Sequence, residues 1–382
     1  MTALLPPLSL YVHLPWCVAK CPYCDFNSWR AGDDAPRGRY VDALLVDLQR
    51  EAKHAVGRPL ISVFLGGGTP SLFSPAEIGR ILDGVAHRFA LADDVEVTME
   101  ANPGTVECGA PAGYRAAGVN RLSIGAQSFD DSALAALGRI HGSGDIRRAV
   151  DAARRGGFEN LNLDIMYALP GQDVAAALAD LAAAIELAPE HLSWYQLTLE
   201  PNTVFYARPP AGLPDNDRCG DIQDAGQAYL VAQAFRQYEV SAWARDGRRC
   251  RHNLNYWTFG DYAAVGAGAH GKITQGDRVF RYVKPAHPQA YLQAIESGRH
   301  QEWRAVDADE RLFEFMLNAL RLSDGFDEGT FEARTGLTHT ALAAAAQGGL
   351  DRGLLERSGR RSWRPTALGR RFLDDLQQSF LA

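Results

Sequence analysis

Short apolar segments, rich in β-branched and aromatic residues, recur along the first 200 residues, a pattern typical of strands. The predicted strands are Leu8–Leu14, Ile61–Leu65, Val95–Ala101, Arg121–Gly125, Leu161–Met166 and Leu192–Leu197. Most of the intervening segments have helical spacing, and one begins at Ser74 and Pro75, a favourable helix N-terminus. Strands that alternate with helices predict βαβ units and a parallel sheet. We therefore expect an α/β fold with an open or partial (βα)6 barrel over residues 1–240.

The pattern changes after Cys219. The segment "YEVSAWA" predicts one more strand, and residues 241–300 contain the glycine- and aromatic-rich sequence "HNLNYWTFGDYAAVGAGAHG". This composition indicates a connecting segment with a functional loop region. From residue 301 the pattern is mostly helical, with a short hairpin in "RSGRRSWRP" and a final helix. Residues 301–382 therefore predict a smaller, mostly helical, winged-helix-like C-terminal domain.

Composition limits the possible classes of protein. The chain has 382 residues, of which 46% are hydrophobic and 22% charged, and this is ordinary for a soluble globular protein. Its net charge of −7, together with 11 Arg, no Lys and 13 Asp or Glu in residues 301–382, argues against nucleic acid as a partner. The sequence contains no apolar run near the roughly 20 residues of a membrane span, and its start resembles no signal peptide. We therefore expect a cytoplasmic protein with reduced thiols.

Three of the six cysteines lie in "WCVAKCPYC" with C-x3-C-x2-C spacing: Cys17, Cys21 and Cys24. In the cytoplasm such a group indicates metal or catalytic chemistry rather than a disulfide. Structural zinc usually has four protein ligands in two separated pairs, and adding His13 to this short loop would be crowded. A [4Fe–4S] cluster with one iron lacking a protein ligand fits better. The other cysteines, expected to be free thiols, are Cys108, Cys219 and Cys250.

A C-x3-C-x2-C sequence directly after a first strand resembles the signature of radical SAM enzymes. The resemblance implies that the fourth iron chelates S-adenosylmethionine, whose reductive cleavage yields methionine and a 5′-deoxyadenosyl radical. "FLGGGTP" is similar to the glycine motif of that family, although alone it is equally typical of a tight βα turn. Each polar residue at a strand end could also serve only to hydrogen-bond the loop that follows the strand. The implied cofactor-binding residues are Tyr11, Tyr23, Gly67, Gly68, Thr69, Glu100, Gln127, Arg139 and Asp164.

The longer segments "SLYVHLPWCVAKCPYCDFNS", "RLSIGAQSF" and "LNLDIMYALPGQ" are similar to the anaerobic coproporphyrinogen III oxidase group. That group contains both the oxidase and the haem chaperone HemW. The oxidase has a further cysteine where this chain has Phe26, and it has a longer segment before the cluster than the sixteen residues here. Both differences favour the chaperone branch.

The chaperone branch is also marked by an H-N-x-x-Y-W motif, which is present here as His252, Asn253, Tyr256 and Trp257. The resemblance implies that His252 binds haem, with His270 of "GAGAHG" as a second candidate. A buried loop histidine beside two core aromatic residues is the alternative.

The expected function is binding of haem and its delivery to acceptor apoproteins such as respiratory enzymes, with flavodoxin or ferredoxin as electron donor. The alternatives are oxidative decarboxylation of coproporphyrinogen III and a zinc-stabilised interaction module. Whether S-adenosylmethionine is cleaved or only bound stays open in the sequence.

Overall fold

The computed structural model describes residues 5–32, 34–55, 57–106, 110–299 and 301–381, and Cys108 lies outside them. The strands are β1 Leu8–Leu14, β2 Trp16–Cys17, β3 Trp29–Arg30, β4 Leu60–Gly67, β5 Leu91–Ala101, β6 Arg121–Gln127, β7 Leu161–Tyr167, β8 His191–Gln196, β9 Arg236–Glu239, β10 Ala242–Ala244, β11 Asp261–Val265, β12 His270–Gln275, β13 Arg278–Val283, β14 Arg304–Ala305, β15 Phe326–Asp327, β16 Leu355–Gly359 and β17 Ser362–Pro365. The helices are α1 Arg37–Glu51, α2 Pro75–Ala86, α3 Pro103–Val106, α4 Ala110–Ala116, α5 Asp131–Ala136, α6 Ser143–Arg155, α7 Val174–Glu186, α8 Val204–Ala207, α9 Asn216–Ala232, α10 Arg251–Trp257, α11 Pro288–Glu296, α12 Ala308–Ala319, α13 Glu328–Thr335, α14 His339–Asp351, α15 Ala367–Arg371 and α16 Leu373–Gln378. Short 3-10 turns cover Ala52–His54 and Pro70–Leu72.

Twelve strands form one sheet in the order β14-β13-β12-β11-β1-β4-β5-β6-β7-β8-β10-β9. The seven central strands, from β11 to β8, are parallel, and antiparallel strands extend both ends. The two end strands, β14 and β9, do not pair with each other within the described sheet, so the barrel is open. All six predicted strands are present, and the predicted α/β partial barrel is confirmed.

The seventh parallel strand, β11, was not predicted. It pairs with β1 in parallel, and Leu8 lies opposite Asp261. Its sequence "DYAAV" has two alanines and is followed by glycines, so its intrinsic strand propensity is low. Every residue of β11 is buried, which shows that tertiary packing rather than local sequence makes it a strand.

The two faces of the parallel sheet differ in polarity, because successive side chains of a strand point to opposite sides. Leu10 and Val12 of β1 belong to the main apolar core, together with Leu44 of α1. On the other face, the Ser62 hydroxyl of β4 donates a hydrogen bond to the Ser9 hydroxyl of β1, 2.7 Å away. This inner face encloses a polar cavity instead of a second apolar core.

Helix α10 carries the HNLNYW sequence and packs against β1, β4 and β11. The Glu96 carboxylate of β5 accepts hydrogen bonds from the backbone N–H groups of Arg251 (3.0 Å) and His252 (3.2 Å). A carboxylate at this position satisfies otherwise free helix N–H groups and interacts favourably with the helix dipole. The contact fixes α10 against the strand that contains Glu96.

The C-terminal module has its own apolar core, which includes Phe315, Phe331 and Trp363. Helices α12–α16 surround a three-stranded sheet of order β15-β17-β16, and the predicted hairpin is formed by β16 and β17. Phe259, directly after α10, joins this core and connects the module to the barrel. Among the described residues, no helix is long and apolar enough to cross a membrane.

Candidate cofactor site

A cavity of about 690 Å³ lies on the inner face of the sheet and reaches the loop after β1. Eleven of the thirteen predicted site residues line it, which are Cys17, Cys21, Tyr23, Cys24, Gly67, Gly68, Thr69, Glu100, Gln127, Arg139 and Asp164. Tyr11 instead lines an adjacent cavity of about 430 Å³, which also contacts Gly67 and Glu100. His252 lines neither cavity. The structure therefore brings together residues that are up to 147 positions apart in sequence, from Cys17 to Asp164.

The loop that carries the three cysteines is closed at its base by strand pairing. Trp16 and Cys17 of β2 pair in parallel with Trp29 and Arg30 of β3. Inside the loop, the Lys20 ammonium donates to the Phe26 carbonyl at 3.1 Å. Burial raises the pKa of both the Cys17 and Cys24 thiols. This closure holds all three thiols on the wall of one cavity.

The glycine motif lies directly under the cysteine loop. Gly67 has φ +115°, and a Cβ atom there would lie 2.4 Å from the His13 ring. A Cβ atom at Gly68 would lie 2.6 Å from the Trp16 carbonyl oxygen. A side chain at either position would therefore clash with neighbouring residues, so both positions require glycine. This holds whatever further role the backbone has toward a ligand.

Arg139 links the cysteine loop to the sheet. Its guanidinium donates to the Gly125 carbonyl at 3.0 Å, to the Cys21 sulfur at 3.4 Å and to the Tyr23 hydroxyl at 3.5 Å. The side chain places a positive charge beside thiols that become anionic when they bind iron. Arg139 is thus suited to offset the charge of an iron–sulfur group.

Two carboxyl groups, Glu100 of β5 and Asp164 of β7, form another part of the cavity wall. Glu100 accepts a hydrogen bond from the Gly67 N–H at 3.0 Å, and burial and the nearby Asp164 raise its pKa to about 7. Asp164 accepts hydrogen bonds from the Ser123 hydroxyl at 3.1 Å and from the Asn162 amide at 2.8 Å. These groups provide acceptors for the amino and hydroxyl groups of a polar ligand.

Gln127 ends β6 in the left-handed backbone region, with φ +71°. Its side-chain oxygen accepts a hydrogen bond from the Tyr195 hydroxyl at 2.8 Å. A non-glycine residue in this region is uncommon and is often found at ligand sites. The bond to Tyr195 fixes the Gln127 amide at the carboxyl end of the sheet.

The donor set fits an iron–sulfur cluster with a polar, zwitterionic molecule beside it. Thiolates are the usual ligands of such clusters, and Arg139 lies within hydrogen-bonding distance of one of them. The described residues contain no group of three or more His, Cys, Asp or Glu arranged to hold a single metal ion.

The structure places His252 inside the barrel wall, with 3% of its surface exposed. Its Nδ1 atom lies 2.9 Å from the Ser62 hydroxyl, and its ring stacks on Phe64 with centroids 4.9 Å apart. Burial and the nearby Arg121 lower its pKa to about 3. Its Nε2 atom has no hydrogen-bond partner among the described residues. His252 is therefore a neutral imidazole with one nitrogen unused.

The other motif residues and His270 have different surroundings. Asn253 and Trp257 line the 690 Å³ cavity, whereas Tyr256 and His270 line the 430 Å³ cavity. His270, at the start of β12, is exposed. The HNLNYW helix therefore faces both cavities.

Sequence reasoning missed several polar residues of the inner wall, which are Arg121, Ser123, Asn162, Ser193 and Tyr195. They alternate with apolar residues along β6, β7 and β8, as in "RLSI", "LNL" and "LSWY". The signal that could have revealed them is a polar residue at every second position of strands that are buried on both faces. It indicates a polar barrel interior.

Residues 11–182 match the Radical SAM superfamily, and residues 306–372 match the HemN C-terminal domain. The chain is 48% identical, over 99% of both chains, to the heme chaperone HemW of Escherichia coli (strain K12). The chain belongs to the HemW family. A HemW protein of Haemophilus influenzae (strain ATCC 51907 / DSM 11121 / KW20 / Rd) is 45% identical, with 99% of this chain and 98% of that protein covered.

The HemW family shares its architecture with a solved radical SAM enzyme. The structure of the coproporphyrinogen III oxidase HemN from Escherichia coli matches with a TM-score of 0.82 and 24% identity, over 98% of this chain and 90% of that chain. This similarity shows that the chain has the fold of the oxidase over 98% of its length.

Proposed function

We propose that this HemW-family protein is a haem chaperone that holds a [4Fe–4S] cluster and S-adenosylmethionine and delivers haem to acceptor apoproteins. The observation that carries the proposal is the meeting of three motifs on one cavity: the cysteine loop, the strand-end polar residues and α10. The full-length similarity to proteins named heme chaperone HemW supports the same function. The proposal places the protein in the cytoplasm, with flavodoxin or ferredoxin as electron donor and respiratory enzymes among the acceptors.

In this proposal Cys17, Cys21 and Cys24 hold the cluster, and Arg139 offsets its negative charge. The cofactor is contacted by backbone groups of the glycine motif, from Gly67, Gly68 and Thr69. It is also contacted by the side chains of Tyr23 and Gln127. Glu100 and Asp164 accept hydrogen bonds from its amino and hydroxyl groups, and Tyr11 supports the site from the adjacent cavity. When bound, the cluster and S-adenosylmethionine supply reductive cleavage of a sulfonium bond.

For haem, the proposed ligand is His252. A neutral imidazole nitrogen is a good ligand for haem iron, and the His252 Nε2 atom has no hydrogen-bond partner in the part of the chain that the structure describes. Because the ring is enclosed by Ser62 and Phe64, haem reaches it only after α10 moves relative to β4. Tyr256 and Trp257, on the same helix, offer aromatic surface to the macrocycle.

The test is anaerobic reconstitution with iron and sulfide, followed by separate incubations with haem and with coproporphyrinogen III. About four irons per chain, uptake of haem and its transfer to an apoprotein are expected. No divinyl product should form from coproporphyrinogen III with reductant and S-adenosylmethionine, because Phe26 occupies the position of the oxidase's extra cysteine. Formation of that product would establish the oxidase alternative.

Single replacements of the cysteines provide the internal control. Cys17→Ala, Cys21→Ala or Cys24→Ala should each abolish the broad visible absorption of the cluster. Cys219→Ala should retain it, since Cys219 lies in α9 and does not line the cofactor cavity. One equivalent of zinc without acid-labile sulfide in the wild-type protein would contradict the cluster assignment.

A further inference from the structure

The amino-terminal end of the cofactor cavity contains a buried arginine. Arg121 is the first residue of β6, whereas Gln127 is the last. At about 3.3 Å per residue, six residues along a strand separate them by roughly 20 Å. Arg121 thus lies on the floor of the cavity, remote from the cysteine loop.

The Nε atom of the Arg121 guanidinium has no hydrogen-bond acceptor among the described residues. Only 2% of the residue's surface is exposed, and the residue lines the cavity. The two nearby carboxylates are already engaged. Glu96 accepts from the N–H groups of α10, and Asp164 accepts from Ser123 and Asn162.

Other donors on the same floor are also unpartnered. The Trp257 Nε1 atom and the Arg321 Nε atom are buried, line the cavity, and have no hydrogen-bond partner within the described part of the chain. The Arg321 guanidinium lies over the Trp257 ring, 4.4 Å from its centroid, which brings the two groups together. The Arg321 guanidinium also donates to the Glu239 carboxylate at 3.0 Å, so its charge is paired and only its Nε atom lacks an acceptor among the described residues. The floor therefore has three N–H donors without an acceptor there, on Arg121, Trp257 and Arg321.

The nearby Glu96 and Asp164 carboxylates favour the charge of the Arg121 guanidinium. A buried N–H donor without an acceptor is nevertheless unfavourable, so the free Nε donor indicates a missing hydrogen-bond acceptor. A planar carboxylate matches the fork of an arginine side chain, which binds it through two parallel hydrogen bonds. Phosphate esters fit less well, because the nearby Glu96, Asp164 and Glu239 carboxylates repel a doubly charged group more strongly than a singly charged carboxylate. The geometry favours a ligand that carries a carboxylate.

We propose that Arg121, together with Trp257 and Arg321, forms a carboxylate-binding site on the cavity floor, and that it receives a propionate group of haem. The identity of the carboxylate rests on the proposed haem-chaperone function, whereas the site itself does not. A small free carboxylate is the other source of the same chemistry. The two sources are separated by the probes below.

The experiment compares haem with haem dimethyl ester, whose propionates are blocked, in absorbance titrations of the full chain. Wild-type protein should bind haem at least tenfold more tightly than the diester. Arg121→Met should reduce haem affinity to that of the diester and leave diester affinity unchanged, whereas Arg121→Lys should retain part of the preference. The matched control is Arg251→Met on the neighbouring α10, where Arg251 is exposed and pairs with Asp94 at 2.6 Å. This control should retain the full preference.

Calorimetric titration with propionate ion is the second arm. Arg121-dependent binding of propionate ion, with haem affinity independent of Arg121, would assign the site to a small carboxylate and overturn the haem part of the proposal. Arg121-dependent binding of propionate ion by a protein that takes up no haem would refute the chaperone function but support the site. If the wild-type protein does not distinguish haem from the diester and does not bind propionate ion, the site is refuted. Equal loss of haem and diester affinity in Arg121→Met would show a structural role instead.

Discussion

The Glu100 carboxyl group shows how one buried residue sets a pH dependence. Its folded-state pKa of about 7 lies above the ordinary value of 4.5, because burial and Asp164 disfavour the charged form. Between these values the folded chain holds a proton that the unfolded chain has lost. Stability of the cofactor-free protein therefore falls as pH rises from about 4.5 to 7.

Glu100→Gln should remove this contribution. The amide still accepts the Gly67 hydrogen bond but does not titrate, so the variant should be about 3 kcal/mol more stable than the wild type at pH 8 and about equal at pH 4.5. Urea denaturation of the cofactor-free proteins across this pH range measures the difference. If the free energy of unfolding changed with pH in the same way for both proteins, Glu100 would not have a raised pKa.

His252→Ala should lower haem occupancy or shift the Soret band, because it removes the proposed iron ligand. Iron and sulfide content should stay at the wild-type level, which would show that the barrel is intact. His270→Ala is the matched control and should have the smaller effect. Loss of haem in His270→Ala, with none in His252→Ala, would move the ligand to His270.

Individual residues were predictable to the extent that a motif marks them. The cysteine spacing and the strand-end polar residues were found in this way, and the structure places them on one cavity. The surroundings of His252 were not predictable, because its burial depends on Phe64, which is 188 positions away in sequence. Arg121 was included only as the first residue of a predicted strand, since nothing local shows that its side chain lacks a partner.

At the scale of elements, the position of α10 depends on Glu96. Glu96→Ala would leave the buried N–H groups of Arg251 and His252 without an acceptor, and it should destabilise the protein by about 2–4 kcal/mol. The matched control is Asp94→Ala on the same strand. Asp94 makes only an exposed ion pair with Arg251, and its removal should change stability by about 0–1 kcal/mol. Equal effects in urea denaturation would show that Glu96 does not hold the helix.

The six parallel strands were predictable because each is a short apolar segment between helices. The strands β11 and β12 were not, because a sequence rich in alanine, glycine and polar residues becomes a strand only where a neighbour pairs with it. The sequence "RVFRYV" of β13 does have the β-branched and aromatic composition of a strand, and this signal was missed. In β12, for example, Lys272 is buried, and its ammonium group lies 3.1 Å from the Asp261 carboxylate. A buried lysine in a strand is favourable only with such a partner, and the partner lies on a different element.

The whole barrel extends beyond the boundary that the hydrophobic pattern suggested at residue 240. A chain that ends there lacks β11 and α10, so one edge of β1 and the inner end of the barrel lose their partners. Such a chain should fail to unfold cooperatively and should retain little reconstituted iron.

A chain that ends at residue 299 is the control, because it keeps strands β1–β13 and all cluster cysteines. It should unfold cooperatively and should bind iron and sulfide. Iron analysis after reconstitution and denaturation followed by circular dichroism distinguish the two chains. A stable, iron-binding chain of 240 residues would show that the first segment is an independent domain.

The pairing of β1 with β11 also has a consequence for synthesis on the ribosome. Leu8 and Asp261 are about 250 residues apart, and at roughly 5–20 residues per second the ribosome needs on the order of 10–50 s between them. During that time one edge of the strand before the cysteine loop has no neighbour. The loop that is translated first is thus supported by a strand that is translated late, and the final environment of its thiols forms only after most of the polypeptide has left the exit tunnel.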